Sequence, residues 1–231
     1  MLTVNQLTSF GAGGEKQDEH FGSVELLIMP SGGDSSIVDL SSRGRSISIS
    51  GTTVSLTDTS PYFAGRKRVA FGGSGYLTAP ASSDWQILSD YTIEWLGELD
   101  SAPGTLLSLR ATEGSYQFYV TSELHINLAY STNGTVWTAI PGTSSPVVSL
   151  ETEHLIALRR SGSTVSIHVD NDTPVYSATL PAFYNPDLPL SIGSGSSSGL
   201  NIPMVGKMDG LRLTRGVART ILKPSEPWPT S

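Results

Sequence analysis

Residues Arg68–Leu99 read RVAFGGSGYLTAPASSDWQILSDYTIEWLGEL, and the end of this stretch decides the fold class. In Thr92–Leu99, Ile93, Trp95 and Leu99 fall on one side of an extended chain, and Thr92, Glu94 and Glu98 on the other. Such a period of two is what a strand shows when one face packs on a core and the other meets water. The same alternation runs through Ser46–Ser50 (SISIS). In Leu124–Tyr130, Leu124, Ile126, Leu128 and Tyr130 share a face, and in Thr164–Asp170, Val165, Ile167 and Val169 oppose Ser166, His168 and Asp170. Further strands are expected at Val24–Met29, Arg68–Phe71, Leu106–Arg110, Tyr116–Val120, Val136–Ile140, Leu155–Arg159, Leu188–Ile192 and Met208–Thr214.

Turn chemistry separates these runs. Ser131-Thr-Asn-Gly134, Ser161-Gly-Ser163 and Asp170-Asn-Asp-Thr-Pro174 supply the residues that tight turns require. Apolar residues nowhere recur at helical spacing over three turns. Many short strands with turns between them predict an all-β fold, an antiparallel sandwich or barrel. Gly72, Gly73 and Gly75 imply a bulge or a close backbone approach, because a phosphate-binding glycine loop must open a helix and none follows. The alternation of Met208, Leu211 and Leu213 is imperfect, which predicts a bulge near Gly210. Ser191–Gly199 (SIGSGSSSG) reads as a flexible loop. The chain divides into an arm, residues 1–22, ending in the Gly-rich and then charged run GAGGEKQDEH, and one globular domain, residues 23–231.

A net charge of -7 argues against a nucleic-acid partner, which would need a basic face to neutralise phosphates. The opening MLTVNQLTSF has neither the basic nor the apolar region of a Sec signal peptide, and no apolar run approaches a membrane-spanning length. The chain contains 0 Cys, which excludes disulfides and thiol chemistry.

Four segments resemble the laminin-G-like (concanavalin-A-like lectin/glucanase) domains common in bacteriophage and bacterial surface proteins. Val24–Asp39 is similar to the family's opening strand and Asp-Ser turn. Phe71-Gly-Gly-Ser-Gly-Tyr-Leu77 and Asp90-Tyr-Thr-Ile-Glu-Trp95 resemble its most diagnostic stretch. His154–Asp170 resembles a family hairpin. Gly206–Thr220 (GKMDGLRLTRGVART) resembles the closing strand, in a form typical of phage virion proteins. The resemblance spans most of Ser23–Pro229 and implies a two-sheet antiparallel jelly-roll sandwich. The chain departs from the pattern at Met29-Pro30 and at Asp170-Asn171, in loops where some relatives place acidic calcium ligands.

Each candidate chemistry has a plainer competitor. Glycoside hydrolysis needs two carboxylates flanking the bond. No E-x-D-x-E string occurs; Glu151 and Glu153 have the alternate spacing, but they read as a solvated turn. His20, His125, His154 and His168 lack a spaced second metal ligand, and His125 and His168 fall on polar strand sides, where surface or cross-strand roles are expected. No nucleophile elbow precedes a helix to mark a Ser-His-Asp triad. Asp170, Asn171 and Asp172, and separately Asp34 and Asp39, offer oxygen ligands that suit Ca²⁺, but Asp and Asn are also good turn residues. Tyr62, Phe63, Trp85, Trp137 and Tyr184 are the aromatics that could stack on a sugar, while Trp95 reads as core. Arg66-Lys67-Arg68 is a basic run that either meets an acidic partner or is a solvated turn.

The expectation is a non-enzymatic bacteriophage virion accessory protein, a capsid decoration, head fibre or short tail fibre. Val4, Leu7 and Phe10 of the arm would dock on other virion proteins, with a homotrimer as the expected assembly. The sandwich would display a lectin-like module to a host-surface glycan. The alternatives are a free bacterial lectin or adhesion module and, less favoured, a glycan hydrolase.

Overall fold

The computed structural model describes residues 17–57, 59–111, 113–140, 142–194 and 201–231. The strands among them are β1 (Val24–Ile28), β2 (Ser48–Ser50), β3 (Val54–Thr57), β4 (Arg68–Gly72), β5 (Tyr76–Ala79), β6 (Tyr91–Ser101), β7 (Gly104–Arg110), β8 (Gly114–Val120), β9 (Ile126–Ser131), β10 (Trp137–Ile140), β11 (His154–Ser161), β12 (Thr164–Val169), β13 (Pro174–Thr179), β14 (Leu190–Ile192) and β15 (Val205–Arg215). They form two antiparallel sheets. An eight-stranded sheet runs β13-β12-β11-β6-β15-β4-β3, with β1 also on β15, and a seven-stranded sheet runs β10-β9-β8-β7-β14-β5-β2. The helical pieces among the described residues are single 3₁₀ turns at Phe21–Ser23 and Ser83–Trp85.

The two sheets close on one apolar core. From the eight-stranded sheet, Tyr91, Ile93, Trp95 and Leu99 of β6 point inward with Leu211 and Leu213 of β15 and Val165, Ile167 and Val169 of β12. They meet Tyr116 and Phe118 of β8 and Ile126, Leu128 and Tyr130 of β9. Each such side chain contributes about 1.5–3 kcal/mol when fully buried.

The irregularity of the closing strand has a structural cause. The pairing of β15 with β6 slips between Met208 and Gly210, so Asp209 is the extra residue. The bulge lets Met208 and Leu211 both face the core although they are three residues apart. It also divides the far side of β15: Val205–Met208 pair with β4, and Leu211–Thr214 pair with β1.

The glycine run Gly72–Gly75 lies where the chain leaves β4 in one sheet for β5 in the other. Gly73 sits at φ +84°, and a Cβ on Gly72 or Gly75 would come within 2.9 Å of Thr53 or Val54 side-chain carbons. The close approach expected from these glycines is therefore a sheet-to-sheet crossing. Strands β3, β5 and β13 were not among those expected from the alternation.

Two expectations about polar strand faces are corrected. The polar side of β6 does not face water: Thr92 is fully buried and Glu94 is 1% exposed. A second apolar cluster, comprising Val24, Leu27, Met29, Phe63, Leu96, Leu155, Ala157, Ile221 and Trp228, covers that face as an outer layer. Trp228 lies over Gly210, where a Cβ would come 2.7 Å from its ring, and Arg212 stacks 4.7 Å from the ring centroid. His168 is likewise fully buried rather than on the surface; its Nε2 lies 2.8 Å from Ser166 Oγ.

The end of the arm joins this layer. Asp18 N donates to Ser231 O at 3.0 Å, and the Asp18 carboxylate takes Arg219 at 3.0 Å and Arg212 at 3.2 Å. Burial opposes its charge, but His20 N–H and the two arginines outweigh burial and hold its pKa below the usual carboxylate range. Val4, Leu7 and Phe10, and residues 195–199 of the expected flexible loop, lie outside the described residues.

Candidate binding site

Two of the aromatics singled out above meet at one rim of the seven-stranded sheet. The β9–β10 turn is built by Ser131 and Asn133. Ser131 Oγ accepts Gly134 N–H at 2.9 Å and donates to Val136 O at 2.7 Å, while Asn133 Oδ1 accepts Thr135 N–H at 3.0 Å and Val136 N–H at 2.8 Å. Gly134 takes the left-handed φ of +87° that this turn requires. Its carbonyl accepts Gly114 N–H at 3.0 Å, which ties the turn to the start of β8.

Each of these glycines seats an aromatic ring. A Cβ at Gly134 would fall 2.6 Å from Tyr184 Cε1, and one at Gly114 would fall 2.9 Å from Trp137 Cζ2. Tyr184 N donates to Ser131 O at 2.7 Å. Its hydroxyl donates to Glu113 Oε2 at 2.8 Å, which raises the phenol pKa because the neighbouring carboxylate disfavours a phenolate. Trp137 is opposite Ser131 in the ladder, and the Arg110 guanidinium stacks 4.1 Å from its centroid. Arg110 donates to Gln117 Oε1 at 3.1 Å, and burial lowers its pKa. The result is two half-exposed aromatic rings with Arg110, Glu113 and Asn133 around them. This combination suits a ligand with both an apolar face and hydroxyl groups.

The remaining candidates fall elsewhere. Trp85 is 0% exposed and belongs to the main core; its Nε1–H donates to Pro80 O at 2.8 Å. Phe63 is 2% exposed in the outer layer, edge-on to Tyr62 at 4.8 Å. Neither Trp85 nor Phe63 offers a face to a sugar. The half-buried Tyr62 donates its hydroxyl to Pro224 O and carries Lys223 5.3 Å from its centroid, away from Trp137 and Tyr184.

The acidic loops do not fit a calcium ion. Asp170 is bonded to His154 and to Leu155 N–H, each at 2.8 Å, and Asp172 to Arg159 at 2.7 Å and Ile221 N–H at 2.8 Å. Asn171 Oδ1 accepts Thr173 N–H. Asp34 accepts from Ser31, and Asp39 from Leu27, Ser41 and Arg45 backbone N–H groups. Among the described residues, no three or more His, Asp or Glu gather to hold a metal.

Glu151 and Glu153 do not act as a pair. Glu151 is exposed, whereas Glu153 turns inward beside Asp209 beneath the outer layer. Arg68 bridges Asp209, Glu98 and Glu153 at 2.8, 3.0 and 3.2 Å, so this residue of the basic run is a buried clasp. Burial and the adjoining Asp209 push Glu153 up to about 8.

An antiparallel sandwich with these strand orders and a rim of aromatic-bearing loops defines a lectin-like binding fold. The chain belongs to the Concanavalin A-like lectin/glucanases superfamily, whose laminin G profile matches residues 71–219. No curated protein matches it in sequence. Among solved structures it resembles botulinum neurotoxin type C, described as interacting with two ganglioside molecules, at TM-score 0.62 and 9% identity, covering 87% of this chain and 49% of that one. The receptor-binding domain of botulinum neurotoxin type G gives TM-score 0.61 and 11% identity over 86% of this chain and 48% of that one. The chain thus spans about half the length of the toxin structures it matches. Domain 4 of AbnA, a GH43 extracellular arabinanase from Geobacillus stearothermophilus solved with arabinotriose, is matched over 85% of this chain and 94% of that one, at TM-score 0.60 and 15% identity.

Proposed function

We propose that this protein is a non-enzymatic attachment module that binds a glycan at the Trp137–Tyr184 rim. The observation that carries this reading is the pair of half-exposed rings, each seated on a glycine and ringed by hydrogen-bonding groups. The arabinotriose-bound arabinanase domain and the ganglioside-interacting toxin lend support, because both are sandwiches of this kind with sugar partners. A glycan array tests it. At least one glycan class is expected to bind, with affinity falling tenfold or more, about 1.4 kcal/mol, in Trp137→Ala. Absence of any glycan binding, or binding indifferent to both Trp137→Ala and Tyr184→Ala, rejects the site.

The finer reading is that the module is carried on a bacteriophage virion, as a capsid decoration or short fibre. The arm, through Val4, Leu7 and Phe10, would dock on other virion proteins, with trimeric assembly raising avidity for weakly bound glycans. The phage-like closing string Gly206–Thr220 supports it. In the described residues the arm's end at Asp18 lies on the outer side of the eight-stranded sheet, away from the rim on the seven-stranded sheet. Mass spectrometry of purified particles is expected to find the protein; its absence favours a free bacterial lectin.

A further inference from the structure

The turn leading into β11 carries an arrangement that glycan binding does not use. His154 Nδ1 lies 2.8 Å from Asp170 Oδ2, and on the other side of the ring Nε2 lies 3.4 Å from Ser149 Oγ and 3.2 Å from Ser149 N. Asp170 is fixed in turn: Leu155 N–H donates to its Oδ1 at 2.8 Å, and Lys223 Nζ lies 3.5 Å from that atom. It holds the left-handed φ of +61° at the end of β12. With the Nδ1 proton given to the carboxylate, the Nε2 lone pair faces Ser149; this tautomer is assigned from the hydrogen-bond partners. Ser149 is exposed on the turn. Hydroxyl, imidazole and carboxylate thus stand in the order of nucleophile, base and orienting acid.

We propose that Ser149 is a reactive serine, a site that accepts an acyl or phosphonyl group from an activated electrophile. With p-nitrophenyl acetate, Ser149 Oγ attacks the carbonyl carbon and passes its proton to His154 Nε2. The bond to the nitrophenolate oxygen breaks, and that oxygen takes the proton from Nε2. The products are acetyl-Ser149 and p-nitrophenol. The Ser149 backbone N–H shares the same lone pair, so assistance is partial and the product is a stable adduct rather than a turned-over intermediate. Asp170 is a positioning residue, acting through His154.

The full chain is treated with a fluorophosphonate probe and with p-nitrophenyl acetate, and adducts are located by peptide mass spectrometry. Labelling is expected at Ser149 and absent in Ser149→Ala, whose exposed side chain leaves the fold intact. General-base help is worth about 10²–10⁴-fold, so His154→Gln is expected to slow labelling about a hundredfold. Asp170→Asn, which keeps a residue tolerant of positive φ, is expected to move the pH midpoint of labelling downward. No adduct at Ser149, or an undiminished rate in folded His154→Gln, overturns the proposal. Should that variant fail to fold, a wild-type labelling rate that stays flat from pH 5 to 8 overturns it equally.

Discussion

The outward face of the eight-stranded sheet carries Glu94, Arg212, Arg68, Asp209 and Glu153, whereas the rim of the seven-stranded sheet carries Trp137, Tyr184, Arg110 and Glu113. On the first, charge is paired and roofed by Ile221 and Trp228. On the second, aromatic surface is left half open on a backbone that two glycines keep clear. Polar residues on a strand therefore do not by themselves mark an open face: here they knit a third layer to the sheet, and the aromatics left open lie on the other sheet, at the proposed binding rim.

That contrast can be broken in graded ways. The largest effect is expected for Arg212→Ala, which removes the two-bonded partner of the buried Glu94 and leaves that carboxylate only Arg219, 3.6 Å away. Breaking one partner of a buried pair costs about 3–5 kcal/mol, readable as a lower urea midpoint. A loss below about 1 kcal/mol would mean that this face is wetter than described.

Next is the pH response of the same face. Glu153 titrates near 8 when folded and close to its ordinary 4.5 when unfolded. Between these values the folded chain holds the extra proton, so this group's contribution to stability falls as pH rises from about 4.5 to 8. Urea unfolding at both ends of that window is expected to show the decline, and Glu153→Gln is expected to flatten it. A variant as pH-dependent as the wild type would assign the decline to another group.

Gly210→Ala pushes a methyl group against Trp228 and is expected to cost about 1–3 kcal/mol by overpacking. Trp228 fluorescence would shift toward that of an exposed indole. The smallest effect belongs to the rim: Trp137→Ala is expected to change stability by about 1 kcal/mol or less, while removing glycan binding. A large loss of stability there would make Trp137 a structural residue.

The sandwich is legible in β6, β12 and β15 because the face turned to the main core is apolar while the opposite face, though also covered, carries polar and charged residues, which imprints a period of two. Even the defect at Gly210 could be read from Met208 and Leu211 lying out of step. Strands β3 and β5 were not, since they are four residues each and flank the Gly72–Gly75 crossing. Nor was β13, an edge strand that begins at Pro174 and is half exposed along its length. The outer layer was invisible because PSEPWPTS, at the carboxy-terminal end, has no periodicity. It is also why Glu94 and Thr92 were expected in water. In the sequence Trp137 and Tyr184 look no different from Trp85 and Phe63, and only packing separates a core ring from an open one. Arg110 and Glu113 gave no signal, because their role comes from two turns meeting at the Gly114–Gly134 hydrogen bond.

The bond from Asp18 N to Ser231 O brings the foot of the arm and residue 231 side by side. A peptide linker joining those two residues, with a new break at the exposed Ser122–Glu123 turn between β8 and β9, would change the order in which strands leave the ribosome while keeping every neighbour in both sheets.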